Sequence, residues 1–534
     1  MGVARHMHNA RHLRSALVMH SAHLRTSTAS MVRVIRTELV PVSTPASTPP
    51  VGRGVVGVLA GAGIMVSLMQ TLVIPLIPRL PELLDTSVSN TSWVITATLL
   101  TSAVATPLLG RLGDLYGKRR LMLVALLSVS AGSLVCALSS SLAPVIVGRV
   151  LQGLGISLIP LGMSIMRDVL PPERLGRAVA LMSSSLGVGG ALGLPLSAVI
   201  AQHLGWHALF WFAAALSALV AVLIARVVPE SPVRVRQRFD AKGAVGLSVG
   251  LVALLLAISK GAEWGWTSAT VLCLFVGSLT VLVLWGAWEL RAPSPIVDLR
   301  TSSRRPVLMT NLATIVVGFA MYSTSLLGPQ MLQLPTATGY GQGLSMLDAG
   351  LLMAPGGLAM MTVSPLAARL AQARGPRTCL LLGTMIICFG NVLAQLLIGT
   401  AWGVTLFGIV NSAGVGFAYA ATPTLIMRSV PRSATAAANG LNSLARSLGT
   451  STSSTVVGLV LGQMTIKIGA TAVPAENGIR VCLAICAGSA ALAALVELAI
   501  PRLQAPVLQV PVPTAAPASA SAAAPVAAPA PITR

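Results

Sequence analysis

The side chains able to do chemistry are few, and the most informative lie where charge is least expected. Arg149 sits inside an apolar run, with Gln152 and Gly153 three and four residues on, a spacing that puts all three on one helix face. Arg446 sits inside another run, with Asn442 one turn earlier and Asn439 before it. A guanidinium in a lipid-embedded helix costs roughly 2.5–3.5 kcal/mol on insertion scales, so it faces a cavity or a partner. Arg149, Gln152, Asn442 and Arg446 are therefore the candidates for intramembrane coupling or for lining a substrate path. A further cluster is the short segment Gly110-Arg-Leu-Gly113-Asp114-Leu-Tyr-Gly117-Lys118-Arg119-Arg120 between two apolar runs. Its glycines permit a tight turn. Asp114 can meet helix-end amides or a nearby Arg, and the cations hold the segment at one membrane face.

What is absent also bears on function. The first apolar run reads Leu68-Met69-Gln70-Thr71-Leu72, and no Asp or Glu lies at the middle of any run; Glu263, Glu289, Asp348 and Glu497 stand near run ends. Arginine stays protonated, so a proton-coupling group is not assigned, with Asp348 and Glu497 the weak candidates. The six cysteines lie inside apolar runs without a CxxC pair, and five of the seven histidines fall in the first 23 residues. No metal site and no cofactor is expected. No Ser/His/Asp arrangement appears in the runs, and no Gly-x-x-x-x-Gly-Lys-Ser/Thr loop, so neither an intramembrane enzyme nor a self-contained ATP-driven pump fits.

The elements that must position these residues follow from hydropathy. Of 534 residues, 54% are hydrophobic and 9% charged, with a mean hydropathy of +0.82. A soluble fold cannot hide that much apolar surface, so lipid is the solvent for most of the chain. Fourteen runs are long enough to cross a bilayer, at roughly 54–77, 91–110, 121–139, 142–165, 178–200, 208–226, 242–259, 268–288, 307–329, 348–368, 378–398, 402–426, 436–461 and 479–500. With both termini cytoplasmic, 30 of the 36 Lys and Arg fall in cytoplasmic segments, four in outer segments and two within spans. That asymmetry sets the orientation and argues against a nucleic-acid surface despite a net charge of +22. Residues 1–53 read as a disordered basic tail and 501–534 as a disordered Pro/Ala-rich tail.

The chain also repeats itself. Pro107-Leu-Leu-Gly-Arg-Leu112 and the following Gly117 and Arg119 recur 258 residues later as Pro365-Leu-Ala-Ala-Arg-Leu370, Gly375 and Arg377. Gly153-Leu-Gly155 with Met166-Arg167 recurs 261 residues later as Gly414-Val-Gly416 with Met427-Arg428. The echoes pair the third run with the eleventh and the fourth with the twelfth. The expectation is an all-α membrane protein with 14 transmembrane helices arranged 6+2+6: a six-helix half at 54–226, two inserted helices within 227–306, and a six-helix half at 307–500. Two such halves place a substrate path between them near the midplane.

The Gly110–Arg120 segment resembles the cytoplasmic signature between the second and third helices of the major facilitator superfamily, and Arg149-x-x-Gln152-Gly153 resembles that family's fourth-helix pattern. The resemblance covers about residues 54–500 and is to the fourteen-helix drug:proton antiporter group. It implies a gate clasp between the halves for Gly110, Gly113, Asp114, Gly117 and Arg119, and a role near proton coupling for Arg149. Leu115 stands where the family often has Arg. The every-fourth-residue ladder Ser185, Gly189, Gly193 and Ser197 resembles, more loosely, the fifth-helix export motif, although Leu194 separates Gly193 from Pro195. The ladder and Gly153 also serve close helix packing. Met69 stands where these antiporters carry an acid.

The resemblance implies alternating-access export of a small-molecule substrate in exchange for protons, by a monomer in a bacterial-type plasma membrane. Gln70, Thr71, Asn311 and Gln330 are polar candidates for the path. Because both embedded charges are positive, neutral or anionic amphipathic compounds suit the interior better than strong cations. A metabolite, sugar or lipid exporter on the same scaffold, and a membrane sensor that has lost transport, are the other readings.

Overall fold

The computed structural model describes residues 53–501 apart from 74–75, 77–79, 236 and 469–470. The two expected terminal tails lie outside the described residues. Among the described residues, thirteen helices are long and apolar enough to cross a membrane. In chain order the long helices are α1 (Arg53–Thr71), α2 (Trp93–Tyr116), α3 (Lys118–Leu138), α4 (Leu142–Val169), α5 (Pro172–Leu204), α6 (Trp206–Val227) and α7 (Ala241–Trp264). They continue as α8 (Ala269–Glu289), α9 (Arg305–Gln333), α10 (Met346–Ala373), α11 (Pro376–Leu396), α12 (Ala401–Ser429), α13 (Thr435–Gln463) and α14 (Glu476–Leu498). In lipid no water is available to unpaired amides and carbonyls, so each span closes its own hydrogen bonds as a helix.

One of the fourteen expected spans does not qualify on composition. Helix α13 is 29 residues long but is not among the thirteen. Asn439, Asn442, Ser443 and Ser453 along it are buried, so its polarity faces protein and not lipid. A second departure from an all-helical chain is a hairpin between α13 and α14. Strand β1 (Thr465–Ile468) pairs antiparallel with β2 (Thr471–Pro474), with Thr465 opposite Pro474. Helix α4 is interrupted by a 3-10 turn at Leu154–Ser157, just beyond Gly153.

Helices α1 to α6 pack mainly on one another: α1 on α5 and α6, α3 on α4 and α6, α2 on α3 and α4. Helices α9 to α14 do the same, with α12 against α9, α10 and α11, and α14 against α9 and α11. The main contacts between these two groups are α2 with α13 and α5 with α10. Helices α7 and α8 pair with each other, and α7 lies against α2 and α13. Val276, Leu279, Val283 and Leu284 of α8 are exposed, which assigns that helix to lipid.

Glycine governs the close crossings. A Cβ on Gly148 of α4 would lie 2.5 Å from the Gly132 carbonyl oxygen of α3. A Cβ on Gly414 of α12 would lie 2.6 Å from the Gly383 carbonyl oxygen of α11. The same backbone-to-backbone crossing thus occurs in both helix pairs that the internal repeat matches. In lipid such close approach replaces the hydrophobic effect as the source of helix association.

Candidate functional site

The segment between α2 and α3 turns at Gly117, whose φ of +113° is open to glycine and strained for other residues. Its repeat partner Gly375, between α10 and α11, has φ +88°. Around the first turn the side chains of Asp114, Lys118 and Asp168 are fully buried. The Lys118 Nζ lies 3.4 Å from Asp114 Oδ1 and 2.5 Å from Asp168 Oδ2. A buried cation demands such partners, and two carboxylates enclose this one. Lys118 is therefore no solvent-facing member of the cationic run.

Asp114 also reaches the other helix group. Its Oδ2 accepts the Ala437 amide at 3.1 Å in the first turn of α13, where the helix dipole favours an anion. Beside it the backbones of α2 and α13 touch: a Cβ on Gly110 would lie 2.7 Å from the Ala436 oxygen, and one on Gly440 2.8 Å from the Thr106 oxygen. Arg167, at the end of α4, adds bonds to the Val430 carbonyl at 2.9 Å and to the Thr435 hydroxyl at 2.5 Å. At the repeat-related place Gln372 of α10 sits over Gly176 of α5, its Nε2 2.8 Å from where a Cβ would stand. One crossing thus carries a carboxylate and its counterpart a neutral amide.

Arg119 and Gly113 do not reach across. The Arg119 guanidinium donates to the Ala225 carbonyl near the end of α6, and its amide donates to Glu230 at 3.1 Å. Its repeat partner Arg377 donates to the Glu497 and Leu498 carbonyls, at 3.1 and 2.6 Å, at the end of α14. Both arginines satisfy the last carbonyls of the final helix of their group. Gly113 makes room for Leu161 of α4, and Leu115 is buried. The connection from α6 to α7 is fastened to the same loop. Ser231 donates to Asp168 Oδ2 at 2.5 Å, the Val235 amide donates to the Asp114 carbonyl at 2.9 Å, and Arg111 donates to Gln237 at 2.8 Å. Asp168, Glu230 and Ser231 escaped sequence reasoning. The available signal was scarcity: Asp168 and Glu230 are two of only 14 acidic residues in the chain, each at the end of a run.

The two embedded arginines have different surroundings. Arg149 is buried; its Nε donates to the Val94 carbonyl at 3.0 Å and its Nη1 to Gln152 at 2.7 Å. Gln152 in turn donates to Ser133 at 2.8 Å, so the network joins α2, α3 and α4. It borders a cavity with about 20 Å³ of room for water, lined also by Met69, Gln70 and Thr98. Arg446 is half-buried. Its guanidinium lies 5.0 Å from the centre of the Tyr419 ring and borders a cavity with about 30 Å³ of room for water, lined also by Thr314, Met321, Tyr419 and Asn442. Asn442 does not bond Arg446; it donates to Asn311 and to Thr314, each at 2.9 Å, and fixes α13 to α9.

The remaining candidates fall elsewhere. Gly189 and Gly193 of α5 abut Ser67 and Thr71 of α1, and Ser185 faces Gly63, so the ladder is a seam between α1 and α5. Ser67 closes it by donating to the Leu186 carbonyl at 2.7 Å. Pro195 lies within α5. Gly153 lies against Thr98 and Thr101 of α2. Thr71 bonds back to its own helix at Leu68, 3.1 Å away. The Gln330 Oε1 is buried without a hydrogen-bond partner, and neither Gln330 nor Asn311 lines the two cavities. Asp348 accepts a bond from the Ser345 hydroxyl at 2.6 Å and shares the capping of α10. Glu497 is fully buried in α14, where Thr384 donates to it at 2.7 Å.

Two groups of membrane-crossing helices, internally repeated and meeting along α2–α13 and α5–α10, define a polytopic transporter fold. Residues 59–454 match the Major Facilitator Superfamily, and the chain belongs to that family. It is similar to the multidrug resistance protein Stp of Mycobacterium tuberculosis (strain CDC 1551 / Oshkosh), at 28% identity over 76% of this chain and 75% of Stp. It is similar to multidrug resistance protein 3 of Bacillus subtilis (strain 168), at 25% identity over 69% and 72% of the two chains. The tetracenomycin C resistance and export protein of Streptomyces glaucescens is 26% identical over 74% and 73%. Among solved structures, the human organic anion transporter MFSD10 superposes with a TM-score of 0.60 at 18% identity, covering 84% of this chain and all of that one, a likeness of fold.

Proposed function

We propose that this protein is a secondary active exporter of small amphipathic compounds that works by alternating access and is powered by proton antiport. The observation that carries this reading is the seam between the two helix groups on the side of the 110–120 loop. It combines backbone contact at Gly110 and Gly440 with a few replaceable bonds, chiefly Asp114 to Ala437 and Arg167 to Val430. A seam of that kind can open as a unit while each group keeps its own packing. The polar, protein-facing α13 and the α2–α13 and α5–α10 crossings are the surfaces about which the groups rock. The names of the relatives, which are resistance and export proteins, support outward transport of drug-like molecules. The protein acts as a monomer in the plasma membrane with both termini in the cytoplasm, and α7 and α8 are an accessory pair outside the two six-helix halves.

Efflux of ethidium and of a neutral dye from cells tests the reading, comparing wild type with Asp114→Asn and Arg149→Ala, with and without an uncoupler. Uncoupler-sensitive efflux weakened by Asp114→Asn is expected. Efflux indifferent to the uncoupler would remove proton antiport and leave transport. Absence of efflux of every dye tried by well-expressed protein would count against drug export.

A further inference from the structure

The two embedded cations are not equivalent. Arg149 spends its guanidinium on the Val94 carbonyl and on Gln152. Arg446 has no hydrogen bond or ion pair to its guanidinium among the described residues; it lies over the face of Tyr419. A stacked ring stabilises a guanidinium but leaves its in-plane N–H groups free. Those donors border the cavity, whose walls hold no Asp or Glu. The other lining is mixed: Val317, Met321 and Val415 are apolar, while Thr314, Tyr419 and Asn442 are polar. Gly318 is also specific to this arrangement. A Cβ there would lie 2.8 Å from the Arg446 carbonyl oxygen and 3.4 Å from its Cγ, so glycine lets α9 close on the stem of the arginine.

A cation whose wall holds no carboxylate and gives its guanidinium no hydrogen bond is left without a counter-charge, and the ligand that completes it is an anion with an apolar body. The guanidinium fork matches a carboxylate or sulfonate in a planar, two-point geometry, which an ammonium could not. With about 30 Å³ of room for water, the cavity in this conformation admits little more than the anionic group itself, and the walls must part to take a compact apolar body. We propose that Arg446, backed by Tyr419 and framed by Thr314 and Gly318, is the anion-recognition residue of the substrate cavity, and that the transported compounds are compact amphipathic monoanions. This rests on the transport reading and names its substrate class. A negative-inside potential also favours the exit of an anion.

The test uses the full chain, purified and reconstituted, with three probes sharing one ring system: 1-naphthalenesulfonate, neutral 1-naphthalenemethanol and a 1-naphthylmethyl trimethylammonium cation. Binding is read by ligand fluorescence and transport by counterflow in proteoliposomes. Wild type is expected to bind and move the sulfonate and to leave the cation unbound. Arg446→Gln is expected to weaken sulfonate binding roughly 30-fold or more, with Arg446→Lys retaining part of it. Met321→Glu, which supplies a carboxylate to the same cavity while sparing Arg446, is expected to abolish sulfonate binding and guards against a fold defect in the arginine variants. Undiminished sulfonate binding by folded Arg446→Gln overturns the proposal. So does wild-type transport of the cation or neutral probe without the sulfonate, which leaves the transport reading intact. Sulfonate binding lost in Arg446→Gln but never accompanied by counterflow upholds the anion site and removes the transport reading instead.

Discussion

Asp114 gives the sharpest prediction, because its two sets of contacts belong to different equilibria. The ion pair with Lys118, 3.4 Å away, lies within one helix group, so the proposed rocking leaves it intact. The bond from the Ala437 amide to Asp114 Oδ2, at 3.1 Å, joins the groups, so the proposed opening of this side breaks it. Only the second shifts the conformational equilibrium. A hydrogen bond to a charged group contributes about 1.5–3 kcal/mol, and the helix dipole at the start of α13 is part of that figure. Asp114→Ala is therefore expected to raise the ratio of open to closed on this side by about ten- to a hundredfold. Asp114→Asn keeps an acceptor for the amide, and a neutral bond of about 0.5–1.5 kcal/mol remains; its shift is expected to be several-fold smaller. Spin labels at the exposed positions Tyr116 and Arg432, in a background without the native cysteines, would report the distance distribution across the seam. A closed peak dominant in wild type, depleted in Ala and intermediate in Asn, is the expected outcome. Identical distributions in wild type and Asp114→Ala would refute the reasoning, since Asp114 would then make no contact that distinguishes the states.

Three further outcomes follow from the same geometry. Arg149→Met is expected to lower thermal stability by about 2–5 kcal/mol, because the Val94 carbonyl and Gln152 lose their donor in a buried site; an unchanged melting temperature would show that the network is not structural. Glu497→Gln keeps an acceptor for the Thr384 hydroxyl and is expected to leave uncoupler-sensitive efflux intact, whereas loss of proton dependence would make Glu497 the coupling acid. Tyr340, outside the spans, donates its hydroxyl to the Pro474 carbonyl at 2.7 Å. Burial first, then nearby Glu476, pushes its hydroxyl up to about 12 from a usual 10.0. A folded value raised above the unfolded one contributes stability that is complete below pH 10 and lost as pH rises towards 12. Tyr340→Phe is expected to cost about 0.5–1.5 kcal/mol at neutral pH and to flatten that alkaline loss in thermal unfolding.

Much of the molecule was legible in the chain because lipid imposes few solutions. Runs of about twenty apolar residues become helices, and the pairing of Pro107–Arg119 with Pro365–Arg377 reappears as two glycine turns, at Gly117 and Gly375, that both adopt positive φ. The turn after α2 was legible from its glycines, and Asp114 does meet a helix-end amide. Arg119 shows the limit. Its neighbours in sequence gave no sign that it would close the end of α6, because the last carbonyls of a helix more than a hundred residues away are invisible until the helices are assembled.

Hydropathy, the distribution of cations and the internal repeat thus determined by themselves that this is a repeated bundle of membrane-crossing helices with two embedded arginines and no acid at the middle of a span. Each of those properties is a sum over local sequence. Tertiary structure alone decided what the arginines do. Arg149 and Arg446 carry the same charge inside their helices, but α2 brings a carbonyl to Arg149 and α3 holds its partner Gln152, while α9 and α12 bring Arg446 a cavity and the face of Tyr419. The partner of a buried charge is supplied by other helices, and their approach is set by glycine crossings spread along the whole chain.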